Sequence, residues 1–303
     1  MQDDPAEDGE AESAAGSAHM GAALAPALYL VSTPIGNARD ITLRGLDILG
    51  AADVLAAEDT RTLRHLMSIH GIPLRGRRIV AHHDHNAESS ARTILQAVRE
   101  GRSVAYASDA GTPLVADPGF ALSRQAAEEG LPVHAAPGAS ALLAALTVAG
   151  LPTDRFLFAG FVPSAKGARR SWLADVAAVR ATVVMFESPR RVKQTLNELC
   201  EIEANRITVI CRELTKKFEE VMRGTAAELA ARVPDEGLRG EVVILLAPPA
   251  GRVVDDDALR EALAARLERM SVRDAAAEVA AEYGVPRKLA YGFAVELGKA
   301  DRG

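Results

Sequence analysis

Val104-Ala-Tyr-Ala-Ser-Asp-Ala-Gly-Thr-Pro-Leu-Val-Ala-Asp-Pro-Gly119 passes from four small or apolar residues into a loop dense in Gly, Pro, Ser, Thr and Asp, and a helical pattern follows at 119–129. An apolar run this short, bounded by turn residues, reads as a buried strand. The loop is longer and more polar than a plain strand-to-helix connection requires. Outward from it the same order recurs. Leu28–Ser32, Val54–Ala57, Arg78–His82 and Val133–Ala135 read as strands, and Thr42–Ala52, Arg61–Ile69, Ser89–Arg99 and Ala139–Val148 as helices. Strands alternating with helices imply a mainly parallel sheet covered on both faces, an α/β domain.

Beyond a linker at Gly150-Leu-Pro-Thr-Asp154, the runs Arg155–Gly160, Thr182–Phe186, Ile207–Cys211, Glu219–Arg223 and Glu241–Ala247 supply a second set of strands and hence a second α/β domain. Pro248-Pro-Ala-Gly251 breaks the pattern, and from Asp255 the chain is helical in period. Ser271-Val-Arg-Asp274 reads as a helix cap and Gly284-Val-Pro286 as a turn, which together suggest a helix-turn-helix-like appendage. The expected organisation is a disordered acidic tail at 1–25, α/β domains at 26–152 and 153–250, and a helical unit at 251–303.

The aromatic content of 4% against 48% hydrophobic residues requires cores of Ala, Val, Leu and Ile. The net charge of −6 resides in the tail: residues 1–20 hold six acids and no Lys or Arg, so the remaining chain is balanced. Attraction for a polyanion therefore has to come from the distribution of charge. Cys200 and Cys211 fit neither a zinc spacing nor a disulfide framework. No metal is expected. The chain shows no basic, apolar leader and no apolar run near the ~18 residues of a membrane span, so a cytoplasmic protein without membrane association is expected.

No two of the 24 glycines are separated by a single residue, which excludes a G-x-G-x-x-G dinucleotide loop, and G-K-[ST] and G-x-S-x-G are also absent. In parallel sheets ligands gather at the carboxyl ends of strands, where five unusual loops are expected. These loops lie within Tyr29-Leu-Val-Ser-Thr-Pro-Ile-Gly-Asn37, Ala57-Glu-Asp-Thr-Arg61, Ser108–Gly119, Pro137-Gly-Ala-Ser140 and Phe186-Glu-Ser-Pro-Arg190. In this order they strongly resemble the bacterial ribosomal RNA small subunit methyltransferase I family, which has the tetrapyrrole-methylase-like fold. The resemblance spans about residues 27–247 and continues more weakly into the helical unit.

That resemblance implies two α/β domains with an S-adenosylmethionine cleft between them, and methylation of a cytidine ribose 2′-hydroxyl in 16S rRNA. The alternative is the same fold and cofactor acting on a tetrapyrrole or a protein. The implied cofactor residues are Pro34, Asp109, Ala110, Gly111, Thr112, Asp117, Gly138 and Ser140 from the first domain, and Phe161 and Glu241 from the second. Glycine and alanine there would let backbone approach the cofactor closely. Asp59 is the first candidate base, with Glu58, Glu187 and Glu213 as others, and Asn37 and Arg61 would hold it and bind ribose or phosphate.

A basic stripe of Lys166, Arg169, Arg170, Arg190, Arg191, Arg212, Lys216 and Lys217 is a candidate track for RNA phosphates, whether on free 16S rRNA or on the small ribosomal subunit. Phe161, Phe186 and Phe218 are candidates to stack an unpaired base, with core packing as the plainer expectation for each. His82-His-Asp-His85 lacks a third converging metal ligand and is expected to form a surface loop, with Asn86 capping the next helix. A homodimer is expected, and the helical appendage would serve either substrate docking or dimer packing.

Overall fold

The computed structural model describes residues 23–83, 86–115, 120–249 and 256–300. The tail at 1–22, Asp117 and the break around Gly251 lie outside the described residues.

The first sheet contains β1 (Leu28–Val31), β2 (Val54–Ala57), β3 (Ile79–Ala81), β4 (Val104–Ala107) and β5 (Val133–Ala136) in the order β3-β2-β4-β1-β5. Every pairing is parallel. Successive strand residues face opposite ways, which explains why near-continuous apolar runs suit a sheet buried on both sides. Tyr29 and Val31 point to one face and meet Leu46 and Leu49 of α1 (Leu43–Ala51) and Leu63 and Met67 of α2 (Thr60–Ile69). Leu28 and Leu30 point to the other, against Ile94 and Leu95 of α3 (Ala87–Arg99) and Leu122 of α4 (Phe120–Glu128).

The second sheet differs from a parallel α/β layer. It comprises β6 (Phe156–Phe161), β7 (Thr182–Glu187), β8 (Ile207–Arg212), β9 (Glu220–Thr225) and β10 (Val242–Leu246) in the order β6-β7-β10-β8-β9. Only β6 and β7 pair in parallel, because β10 inserts antiparallel between β7 and β8. One face is covered by α6 (Lys166–Ala177), α7 (Val192–Glu203) and α8 (Ala226–Arg232). The other receives α5 (Ala141–Ala149), whose Ala145, Leu146 and Ala149 pack on Val184, Val209 and Leu245. Although α5 precedes the linker, its core contacts lie with the second sheet. Arg223 of β9 reinforces this by donating to the carbonyls of Val148 and Ala149, left without helical partners at the end of α5.

The C-terminal unit is formed by α9 (Asp256–Leu267), α10 (Val272–Tyr283) and α11 (Arg287–Ala300) around Leu259, Leu263, Val279, Ala290 and Ala294. Ser271 accepts from the Asp274 amide as the cap of α10, and Gly284 ends that helix at φ +66°. A side chain at Gly284 would collide with the Arg180 guanidinium, so this turn lies against the second domain.

His82 departs from the expected surface loop, and Asp84 and His85 lie outside the described residues. His82 is fully buried, its Nδ1 lies 2.8 Å from Ser90 Oγ, and its ring meets Tyr106 edge-on at 5.4 Å. Asn86 makes no side-chain cap for α3; its Oδ1 accepts from the His83 amide instead.

Candidate active site

Loops from both domains enclose a cleft of about 480 Å³. Its first-domain wall follows from a small hydrogen-bond lattice. Thr33 and Gly111 exchange backbone hydrogen bonds of 2.9 and 3.0 Å, joining the loops after β1 and β4. Ser108 Oγ donates to the Gly111 carbonyl at 2.7 Å, and Thr112 Oγ1 donates to the Ala139 carbonyl at 3.1 Å, drawing in the loop before α5. Gly111 sits at φ +81°, a conformation costly for a residue with a Cβ, and a Cβ on Gly138 would come within 2.9 Å of Ser32 Cβ. Ala110, Gly111, Thr112 and Ser140 all face the cleft. Ser140 caps α5 by accepting weakly from the Leu143 amide at 3.5 Å, which leaves its hydroxyl proton available to donate.

The second-domain wall combines the carboxyl ends of β6, β7 and β8 with the amino end of β10, so only part of it obeys the parallel-sheet expectation. A bulge between Phe158 and Gly160 shifts the alternation of β6. As a result Phe158 and Phe161 both meet Phe186, with ring centroids 5.0 and 5.3 Å apart. Phe161 is 60% exposed and Phe218 64%, so neither is a core residue. Glu241 lines the cleft beyond Gly240. Ile35, Cys211, Leu214 and Val243 complete an apolar wall that sequence reasoning missed. They read as ordinary strand or loop residues; the β8–β10 pairing sets Cys211 beside Val243, and the meeting of the two domains adds Ile35 from the loop after β1 and Leu214 from the loop after β8.

The acid candidates are differently placed. Asp59 caps α2, and its carboxylate accepts from the Arg61 amide at 2.8 Å and from the guanidinium at 2.6 Å. These bonds lower its pKa to about 2, making it a weak proton acceptor. Neither Asp59, Glu58, Asn37 nor Arg61 lines the cleft; Asp59 connects to its rim through its amide, which donates to Asp109 Oδ1 at 2.8 Å. Glu187 does reach the wall, but its carboxylate accepts from the Ser188 amide, Arg191 and Thr195 Oγ1 at 2.6, 2.7 and 2.5 Å. It staples the turn into α7. Asp59 thus holds the start of α2 and Glu187 the turn into α7, while Glu58, half-buried beside Asp59, is outside the cleft lining.

The basic stripe is also altered. Arg169 is 1% exposed and forms a bidentate pair with Glu198 at 2.6 and 2.9 Å, and so cannot reach a phosphate. Arg170 pairs with Glu201, Arg191 with Glu187 and Arg212 with Glu220. Lys216 bridges Glu213 and Glu241 at 2.9 and 3.0 Å. Lys216 thereby holds the Glu213 carboxyl below its ordinary range. The Lys216 stem lies over Gly36, and Thr215 Oγ1 accepts from the Asn37 amide at 3.3 Å, so this loop clasps the two domains together. Lys166, Arg190 and Lys217 remain exposed.

Residues 27–230 match the tetrapyrrole (corrin/porphyrin) methylase family, and 253–298 match the RsmI C-terminal HTH domain. The protein named ribosomal RNA small subunit methyltransferase I from Mesorhizobium japonicum is 44% identical over 276 residues, covering 90% of this chain and 93% of that one. The chain belongs to the ribosomal RNA small subunit methyltransferase I family. Among solved structures, a diphthine synthase shares 20% identity at TM-score 0.58, covering 73% of this chain and 89% of that one. Uroporphyrin-III C-methyltransferase from Thermus thermophilus, complexed with S-adenosyl homocysteine, shares 21% identity at TM-score 0.50, covering 73% and 97%. These two likenesses establish the tetrapyrrole-methylase fold for the two α/β domains of this methyltransferase I family member. The three-helix unit is the part matched by the HTH domain.

Proposed function

We propose that this protein transfers a methyl group from S-adenosylmethionine to the 2′-hydroxyl of a cytidine ribose in small-subunit ribosomal RNA. The observation that carries the cofactor assignment is the small-residue wall, where Ala110, Gly111 and Gly240 leave backbone accessible and Ser140 offers a hydroxyl at a helix start, with Gly138 packed behind it on Ser32. The exposed Phe161 ring fits the flat adenine of such a ligand, and Glu241 fits polar groups at its edge. The T. thermophilus relative in fold, solved with the demethylated cofactor, supports the same ligand class. The names of the sequence relatives support the RNA substrate.

The bound cofactor supplies a methyl group on a sulfonium, which is already a good leaving group. The work left to the chain is alignment, which can lower a barrier by about 7–11 kcal/mol. The Thr33–Gly111 bridge and the Lys216 clasp fix the two walls, and Asp59 and Asp109 set the rim where the ribose enters. With Asp59 paired and Glu187 stapled, the hydroxyl proton passes to water at that rim. Action in the cytoplasm follows from a ribosomal substrate, and no helix among the described residues is long and apolar enough to cross a membrane. A homodimer belongs to the same reading, supported by exposed Leu143, Phe156 and Leu157 on α5 and the edge strand β6.

Methyl-labelled S-adenosylmethionine, offered with unmodified small subunits, free 16S rRNA or a precorrin, tests the assignment. Label in RNA within an alkali-stable dinucleotide is expected, because a methylated 2′-oxygen blocks strand hydrolysis. Label in alkali-labile mononucleotides or in the precorrin would refute the ribose assignment.

A further inference from the structure

The parallel first sheet brings α1 and α2 to the same edge, because each follows a strand, and their shared core places them on the same face. Their starting turns therefore lie at the end of the sheet that carries the Gly111 loop. At this corner Arg39, Arg44, Arg61 and Arg64 are all exposed, whereas the neighbouring acids Asp40, Asp47, Glu58 and Asp59 are half-buried. Leu63, Leu66 and Met67 occupy the buried side of α2, which turns Arg61, Arg64 and His65 outward. The ring Nε2 of His70 lies 2.9 Å from the Ala38 carbonyl, tying the turn that bears Arg39 to α2. From Thr60 to His83 the sequence contains no Asp or Glu. Asp59, beside Arg61, is bonded through its amide to Asp109, adjacent to Ala110 of the cleft wall.

In contrast, five of the eight bases in the second-domain stripe are paired with carboxylates. Arg39, Arg44 and Arg64 have no such ion pair among the described residues, and Leu43, which opens α1 directly before Arg44, is 74% exposed. An unpaired guanidinium is free to exchange its counterions for phosphate.

We propose that the RNA backbone approaches the cleft over the first domain, with Arg39, Arg44 and Arg64 holding successive phosphates and Arg61 standing nearest the rim. This rests on the RNA reading above and names the surface that serves it. The second domain then supplies cleft walls and the clasp, and the phosphate track belongs to the α1–α2 corner.

The test compares Arg39→Ala/Arg44→Ala/Arg64→Ala with Lys166→Ala/Arg190→Ala/Lys217→Ala, using 16S rRNA transcript and small subunits as probes over a salt series. Each phosphate contact adds about 0.7–0.9 to the slope of log affinity against log salt, so the first triple should lower that slope by about 2. Affinity at moderate salt should fall tenfold or more. Calorimetry with S-adenosyl homocysteine should give unchanged affinity for both variants, reporting an intact cleft. Loss confined to the second-domain triple, or a wild-type salt slope in the first, overturns the placement while leaving the RNA reading intact. Wild-type protein that binds neither probe in a salt-dependent way overturns the RNA reading and this surface together.

Discussion

Asp59 accepts from both the backbone and the guanidinium of Arg61, and these bonds hold its pKa at about 2. Its folded pKa is depressed, so the pair is complete above the ordinary carboxylate range and is lost only as pH falls towards 2. Asp59 accordingly stays ionised between pH 5 and 9, and single-turnover rates should show no limb from its titration there. Asp59→Asn keeps a good cap on α2 but loosens Arg61. The expected outcome is a single-turnover rate lowered by less than the roughly 10²- to 10⁴-fold of a general base, with weaker RNA binding and unchanged cofactor affinity. A loss within that larger range would return Asp59 to the role of base. The paired charges of Asp59 and Arg61 were legible in the sequence, because turn chemistry alone does not call for them. The direction of their chemistry was not, since a carboxylate's basicity depends on the atoms bonded to it.

Between α6 and α7, Arg169 and Glu198 meet as a buried bidentate pair, with a further bond from Arg169 to the Ser164 carbonyl at 3.0 Å. Removing one partner leaves an uncompensated buried charge. Glu198→Ala should therefore destabilise the protein by about 3–5 kcal/mol, read from denaturant unfolding. Replacing both residues by apolar ones of similar volume should recover most of that loss. Loss of less than about 1 kcal/mol in Glu198→Ala would show that the pair is effectively solvated. The sequence placed Arg169 in a surface stripe because an arginine in a helical pattern is usually exposed. Its carboxylate partner lies on another helix, 29 residues away, beyond the reach of any local pattern. The bulge in β6 is a similar case: Gly160 is visible in the sequence, but the parity shift that brings Phe161 onto Phe186 requires β7 beside it.

At the scale of the molecule, α5 joins the two halves. It follows the first sheet in sequence, packs its buried face on the second, and begins at Ser140 on the cleft. The C-terminal helices have a separate core and contribute no residue to the cleft lining. A chain ending at residue 249 should keep its affinity for S-adenosyl homocysteine by calorimetry and lose affinity for the small subunit, with a shallower salt dependence. If it binds the subunit normally but sediments with a different mass, the unit is an assembly element. Abolished cofactor binding would show that the unit supports the cleft.

The sequence by itself determined the α/β alternation, the strands of both sheets, the cap at Ser271 and the glycine-rich loops around Gly111 and Gly138. Each of these is local: a period, a cap or a required backbone conformation is written within a few consecutive residues. Tertiary structure alone decided the antiparallel insertion of β10, the docking of α5 on the second sheet, the apolar wall of Ile35, Cys211, Leu214 and Val243, and which cations are neutralised. These depend on pairings between residues far apart in the chain. Their energies are set by burial and by the dielectric between charges, quantities that exist only once the chain has packed.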